Sequence, residues 1–205
     1  MADPVAVAIP ELSTRSKFII MGCTMLGMFV AAMDQTVVGT AMPRVIASLG
    51  GLHLYSWVFT AYMLTSTTTV PIVGKLSDLY GRKLFFLAGI IVFLAGSALA
   101  GTSQSMVQLI TFRAVQGIGG GFIMANAFAL LGDLFAPAER GKYTGLMTGV
   151  FGLASVLGPL IGGGITDSLN WRWVFYVNLP LGLVTISVLY VFLPNIGGRD
   201  RKSVV

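Results

Sequence analysis

Two charged side chains stand inside long apolar runs, Asp34 within Phe18–Met42 and Arg113 within Met106–Leu131. A charge held at membrane depth costs about 2.5–3.5 kcal/mol on insertion scales, so each needs a reason to be there. A carboxyl in such surroundings is pulled two ways: desolvation favours its neutral form, and a neighbouring guanidinium favours its charged form. That balance is what a group needs to load and release a proton. At 1.5 Å per residue, both side chains fall roughly 11–12 Å below the same outer boundary, so they can meet. Gln116 shares a helix face with Arg113, Gly117 and Gly120. Two interpretations follow. Asp34 is a proton-linked carboxylate tuned by Arg113 and Gln116, for which a cationic ligand could compete, or the pair is a fixed tie between two helices.

The elements that position these residues must be membrane helices. Of 205 residues only 10% are charged and 55% are hydrophobic, against about 25% charged in soluble domains, so a water-soluble surface cannot be covered. Runs of about 20 apolar residues predict six spans. They are Phe18–Met42, Trp57–Val73, Leu84–Gly101, Met106–Leu131, Tyr143–Thr166 and Trp173–Leu193. The first is too long for a signal-peptide core and lacks a small-residue cleavage site, so it is read as a true span. One Cys and one His exclude a disulfide framework and most metal or imidazole-based sites, so no metal, no cofactor and no enzymatic activity are expected. The net charge of +5 is spread over short loops and not gathered on one face, which argues against nucleic acid.

Basic residues orient the chain. Arg15, Lys17, Lys75, Arg82, Lys83, Arg140, Lys142, Arg199, Arg201 and Lys202 fall on one side, Arg44 and Arg172 on the other. This predicts an integral protein of a plasma or inner membrane with both termini cytoplasmic. The expected organisation is a cytoplasmic segment over 1–16, a six-helix bundle over 17–194 and a basic cytoplasmic segment over 195–205. An internal echo runs from Gly74–Asp78 with Arg82 to Gly163–Asp167 with Arg172. Because the copies lie three spans apart, they face opposite sides, as in an inverted-topology repeat. The predicted fold is therefore all-α, six transmembrane helices arranged as two inverted three-helix repeats.

Local chemistry adds further candidates. Gly74-Lys-Leu-Ser-Asp78 through Gly81, Arg82 and Lys83 reads as a tight cytoplasmic turn in which Asp78 pairs with Arg82 or with backbone N–H groups, or simply as a basic anchor fixing topology. Gly152, Gly158, Gly162 and Gly163 around Pro159 suit close helix packing and a bend. Gly117–Gly121 lies inside a span with no preceding strand, which excludes a nucleotide loop. Thr65 and Thr67, in a run of five hydroxyl residues, either bond back to their own helix or form a cavity wall. Tyr62 and Met124 could add aromatic and soft apolar surface for planar cations. Trp57, Trp171 and Trp173 are placed as interfacial anchors.

Several of these stretches carry a family resemblance over nearly the whole chain, from Lys17 to Leu193. Gly74–Lys83 resembles the loop signature of the major facilitator superfamily, and Arg113-Ala-Val-Gln-Gly-Ile-Gly-Gly-Gly121 its second motif. Gly152–Gly163 resembles its antiporter motif. Asp34–Pro43 and Trp171–Gly182 resemble the fourteen-span drug:proton antiporters, apart from Gly39 where that family often has Asn. The resemblance implies proton-coupled efflux of small amphipathic or cationic drugs, energised by the proton gradient. This chain would supply the N-terminal six-helix half, with a further half or a second copy as partner. It also implies that Asp78 latches onto a helix of that other half, and that Asp34 and Arg113 line the central cavity. The alternative is a half-sized membrane protein that associates without transporting alone.

Overall fold

The computed structural model describes residues 13–193, which are helical almost throughout and contain no strand. Helix α1 covers Thr14–Leu49, α2 Tyr55–Tyr80, α3 Arg82–Gly101, α4 Met106–Leu134, α5 Pro137–Ser168, α6 Trp173–Tyr176 and α7 Asn178–Phe192. A short 3-10 turn at Leu52–Leu54 precedes α2. The terminal segments expected before and after the bundle lie outside the described residues, apart from 13–16, which open α1. Arg199, Arg201 and Lys202 lie outside them too.

Local chemistry sets the helix ends. The Ser13 and Ser105 hydroxyls accept from the backbone N–H of Ser16 and Gln108, satisfying donors that the first turns of α1 and α4 leave open. Pro137 begins α5, where a missing N–H costs nothing. Gly81 alone makes the turn between α2 and α3, with φ of 104°, a conformation that side chains with a Cβ avoid.

Several boundaries differ from those expected. α1 continues past Met42 through Pro43 to Leu49, since one missing backbone bond near a helix end does not stop a helix held by its neighbours. The stretch Gly74–Tyr80, expected as part of a loop, is the last turns of α2, and the turn is confined to Gly81. Among the described residues five segments are long and apolar enough to cross a membrane: α1, α3, α4, α5 and the combined α6–α7. α2 is not one of them. At 26 residues it has the length, but Thr65–Thr69 dilute its apolar character. The hydrogen-bond ladder of the sixth span is interrupted at Val177, whose backbone stays right-handed helical, because Pro180 has no N–H to offer the Tyr176 carbonyl.

The packing has the symmetry of an inverted repeat. α4 packs against α2 and α3; correspondingly, α1 packs against α5 and against α6 and α7. Exchanging the first span for the fourth, the second for the fifth and the third for the sixth maps one set onto the other. One apolar cluster includes Ile20, Met28, Phe86, Phe93, Ile123 and Leu130. A second includes Met33, Val37, Met42, Leu109, Val174 and Phe175. The exposed faces are apolar as well, with Leu153, Val156 and Leu160 on α5 and Leu183, Val184 and Val191 on α7. Such a surface suits lipid and not water. The polar site lies at the seam between the two clusters.

Candidate functional site: a buried carboxylate hub

Asp34 is the centre of a hydrogen-bond network that joins four of the six spans. Its Oδ2 is paired with Arg113 Nη1 of α4. Its Oδ1 accepts from Gln116 Nε2 at 2.9 Å and from Asn178 Nδ2 of α7 at 2.8 Å. Arg113 Nη1 also donates to Gln116 Oε1 at 2.8 Å, so one guanidinium nitrogen bridges amide and carboxylate. Asn178 Nδ2 donates in addition to Ser97 Oγ of α3 at 3.0 Å, and that hydroxyl donates to the Phe175 carbonyl at 2.8 Å. Asp34, Ser97, Arg113, Gln116 and Asn178 are all 0% exposed.

Close helix approach makes this convergence possible. A Cβ on Gly96 of α3 would lie 2.7 Å from the Gln116 Cα, and one on Gly120 would lie 2.5 Å from the Tyr62 hydroxyl oxygen. The space at Gly120 admits the Tyr62 ring, which covers the guanidinium with Arg113 Cζ 4.4 Å from the ring centroid, a cation–π contact strengthened by burial. Arg113, Gln116 and Asn178 all donate to the carboxylate. Three polar atoms of the network have no partner: Arg113 Nε, Arg113 Nη2 and Asn178 Oδ1. Unpartnered buried polar atoms are costly and uncommon in folded proteins.

Residues 24–203 match the family model of the Major Facilitator Superfamily. The chain belongs to that superfamily. It is 53% identical over 161 residues to the multidrug transporter protein MdtP of Bacillus subtilis, covering 78% of this chain and 30% of that protein. It is also 53% identical over 188 residues to multidrug resistance protein 3 of the same organism, covering 91% and 36%. Efflux pump FUS6 of Gibberella moniliformis is 38% identical over 186 residues, with 90% and 33% covered. The chain thus spans about a third of the length of these curated relatives. The fold is shared with the human organic anion transporter MFSD10 (TETRAN), at a TM-score of 0.69 and 22% identity over 87% of this chain and 48% of that one.

Against this superfamily's motifs, the structure sorts the remaining candidates. Arg113 and Gln116 both meet Asp34, and among the described residues the trio is sealed inside the bundle and lines no open cavity. In the loop signature, Arg82 pairs with Asp78 one turn before it, with Ser77 Oγ at 2.8 Å and with Asp133 at the end of α4 at 2.9 Å. Asp133 had no motif to mark it. Lys83 instead reaches across to the Tyr190 carbonyl at 2.7 Å, tying α3 to α7. Gly74 faces open space.

The echo on the other face closes differently. Asp167 pairs with Arg44 of α1 at 2.8 Å, because α5 ends at Ser168 and carries Arg172 out of its reach. Arg172 donates to the Ser103 carbonyl at 2.7 Å and lies over Trp171. Trp171 is accordingly buried and not an interfacial anchor, whereas Trp57 and Trp173 are half exposed. The antiporter-motif glycines divide. A Cβ on Gly158 or Gly162 would overlap Thr36 or Thr40 of α1, while Gly152 and Gly163 have nothing within 4 Å. Pro159 lies within α5 on its exposed side.

Of the expected cavity wall, Thr67 is exposed, and Thr65 is half-buried with its hydroxyl bonded back to the Ala61 carbonyl. Met124 packs against the apolar core and Tyr62 covers Arg113. Asn178 and Ser97 join the Asp34 network without having been singled out as site residues, although Asn178 lies within the Trp171–Gly182 stretch. The available signal was a single amide in the apolar run 173–184, immediately before Leu179-Pro180.

Proposed function

We propose that this chain is the N-terminal six-helix half of a proton-coupled exporter of small amphipathic or cationic drugs, of the fourteen-span drug:proton antiporter type. Its termini are cytoplasmic, and a further half or a second copy completes the cavity. The names of the Bacillus subtilis relatives and the motif pattern support the substrate class. The carrying observation is the fully buried Asp34, the sole anionic partner of Arg113 among the described residues.

The burial of Asp34 moves the coupling away from direct competition between drug and proton. Protonating it removes the charge opposite Arg113, whose guanidinium cannot lose its own proton, and leaves a buried cation without a counter-ion. Relief comes from separating the first and fourth spans, the equivalent first helices of the two repeats. A proton thereby drives a helix rearrangement without touching the drug. On the cytoplasmic side, the Asp78 side chain keeps 57% exposure while paired with Arg82, leaving it free to engage the positive end of a helix in the further half. A specific observation also favours a second reading, a structural tie. Both Asp34 oxygens are satisfied and sealed from solvent.

Efflux of a fluorescent cation from proteoliposomes containing this chain, driven by an imposed pH gradient, separates these readings. Asp34→Asn is expected to abolish proton-driven exchange. Unchanged proton-driven exchange would eliminate Asp34 as the coupling group, and absence of exchange in the parent chain under every gradient would sink the transport role of the chain by itself.

A further inference from the structure

Asn178 is placed to do more than hold Asp34. Its Nδ2 is shared between Asp34 Oδ1 and Ser97 Oγ, while its Oδ1, in a residue with 0% exposure, has no donor at all. The orientation of the amide is dictated by the carboxylate, which has nothing to donate. A carboxylic acid reverses that condition, because its O–H is a donor that needs an acceptor. The buried acceptor without a partner belongs to the residue already in contact.

We propose that Asn178 reads the protonation state of Asp34 by turning its side-chain amide over, and passes that state to the interruption in the sixth span. The proposal rests on Asp34 being the proton-loading group. With Asp34 ionised, the chain of bonds runs from Asn178 N–H to Asp34 Oδ1, from Asn178 N–H to Ser97 Oγ, and from Ser97 O–H to the Phe175 carbonyl. When a proton binds Asp34 Oδ1, the amide rotates so that Asn178 Oδ1 accepts from the new O–H. The same Oδ1 then faces Ser97, whose hydroxyl turns from the Phe175 carbonyl to the amide. Each proton keeps its carrier; the Asn178 N–H groups give up Asp34 Oδ1 and Ser97 Oγ as acceptors, and the Phe175 carbonyl gives up its donor. The consequence falls on the Phe175 carbonyl, two residues before the Val177 interruption, beside a turn where Pro180 has already removed one backbone bond.

The surroundings leave this role to Asn178. Facing Asp34, α4 brings Arg113, and α2 brings the Tyr62 phenol lying over that guanidinium. α3 and the sixth span bring Ser97 and Asn178, neither titratable, and α5 meets α1 at Ala154, Gly158 and Gly162. Gln116 is held more firmly, because turning its amide would break the bond its Oε1 accepts from Arg113 Nη1 as well as the one its Nε2 donates to Asp34. Asn178 is therefore a positioning residue whose two ends match the two states of the carboxyl.

Infrared difference spectroscopy of the full chain in lipid nanodiscs, stepped between high and low pH, tests this directly. The chain carries four asparagines, Asn126, Asn170, Asn178 and Asn195, so isotopic labelling of the asparagine side-chain carbonyl isolates the signal without mutation. The expected result is a carboxylic acid band, absent in Asp34→Asn. With it an asparagine carbonyl band moves to lower frequency as Oδ1 gains donors. That movement is lost in Asn178→Leu and reduced in Ser97→Ala, while the acid band persists in both. An acid band with an unmoved asparagine carbonyl overturns the proposal and leaves Asp34 as the proton site. Absence of any Asp34-dependent acid band overturns both.

Discussion

Neutralising Asp34 should cost stability, and neutralising Arg113 as well should restore it. Asp34→Asn leaves the Arg113 guanidinium at 0% exposure with two of its three nitrogens already unpartnered. Removing one partner of such a pair typically costs about 3–5 kcal/mol, or roughly two to four powers of ten in the folding equilibrium. Arg113→Gln in the same chain removes the orphaned charge, and replacement of whole buried pairs is often neutral or stabilising, so the double variant is expected within about 1 kcal/mol of the parent. Equilibrium unfolding in lipid–detergent micelles gives the four corners of the cycle. The refuting result is a double variant as unstable as the sum of its singles, which would mean that the charges do not act as a pair. Transport adds the decisive arm: a double variant that folds but does not exchange against protons fits a proton site. One that regains proton-driven exchange reduces the pair to a tie between helices.

The glycines and the surface charges offer sharper local tests. Gly117→Ala places a methyl group into Tyr62 and Thr65 of α2 and should destabilise by about 1–3 kcal/mol through overpacking, whereas Gly152→Ala, with nothing within 4 Å, should be neutral or stabilise by about 0.5–1 kcal/mol through helix propensity. Thermal unfolding of the two variants side by side checks this, and equal losses would refute the assignment of faces. Arg82→Ala removes contacts to Asp78, Ser77 and Asp133 from a side chain only 12% exposed. The Arg44–Asp167 pair has side chains 51% and 77% exposed, so Arg44→Ala should cost under about 1 kcal/mol and Arg82→Ala measurably more in the same unfolding assay.

The readability of the site follows from how each member announces itself. Asp34 and Arg113 are conspicuous because a charge in an apolar run has no bland explanation, and equal depth already placed them at one level. Asn178 and Ser97 are ordinary small polar residues, and the bond from Asn178 to Asp34 spans 144 positions. Only the crossing of the sixth span over the first brings them together. Tyr62 shows the same limit: its type suggested a ligand-facing aromatic, while the space left by Gly120 turns it over Arg113. α5 is rich in glycine on more than one face, so periodicity has no phase to report, and the choice of Gly158 and Gly162 as contacts is made by the position of Thr36 and Thr40 on α1.

Composition and local pattern by themselves determined that the chain lives in lipid, that its helices repeat in inverted order, and which two charges required explanation. These are properties of transfer free energy and of periodicity, and both are written residue by residue. Tertiary structure decided what surrounds those charges: a sealed hub and not an open cavity wall, with an amide from the interrupted sixth span completing it. Hydrogen-bond partners depend on distances of a few tenths of an ångström between helices remote in sequence, and that information exists only after the helices have packed.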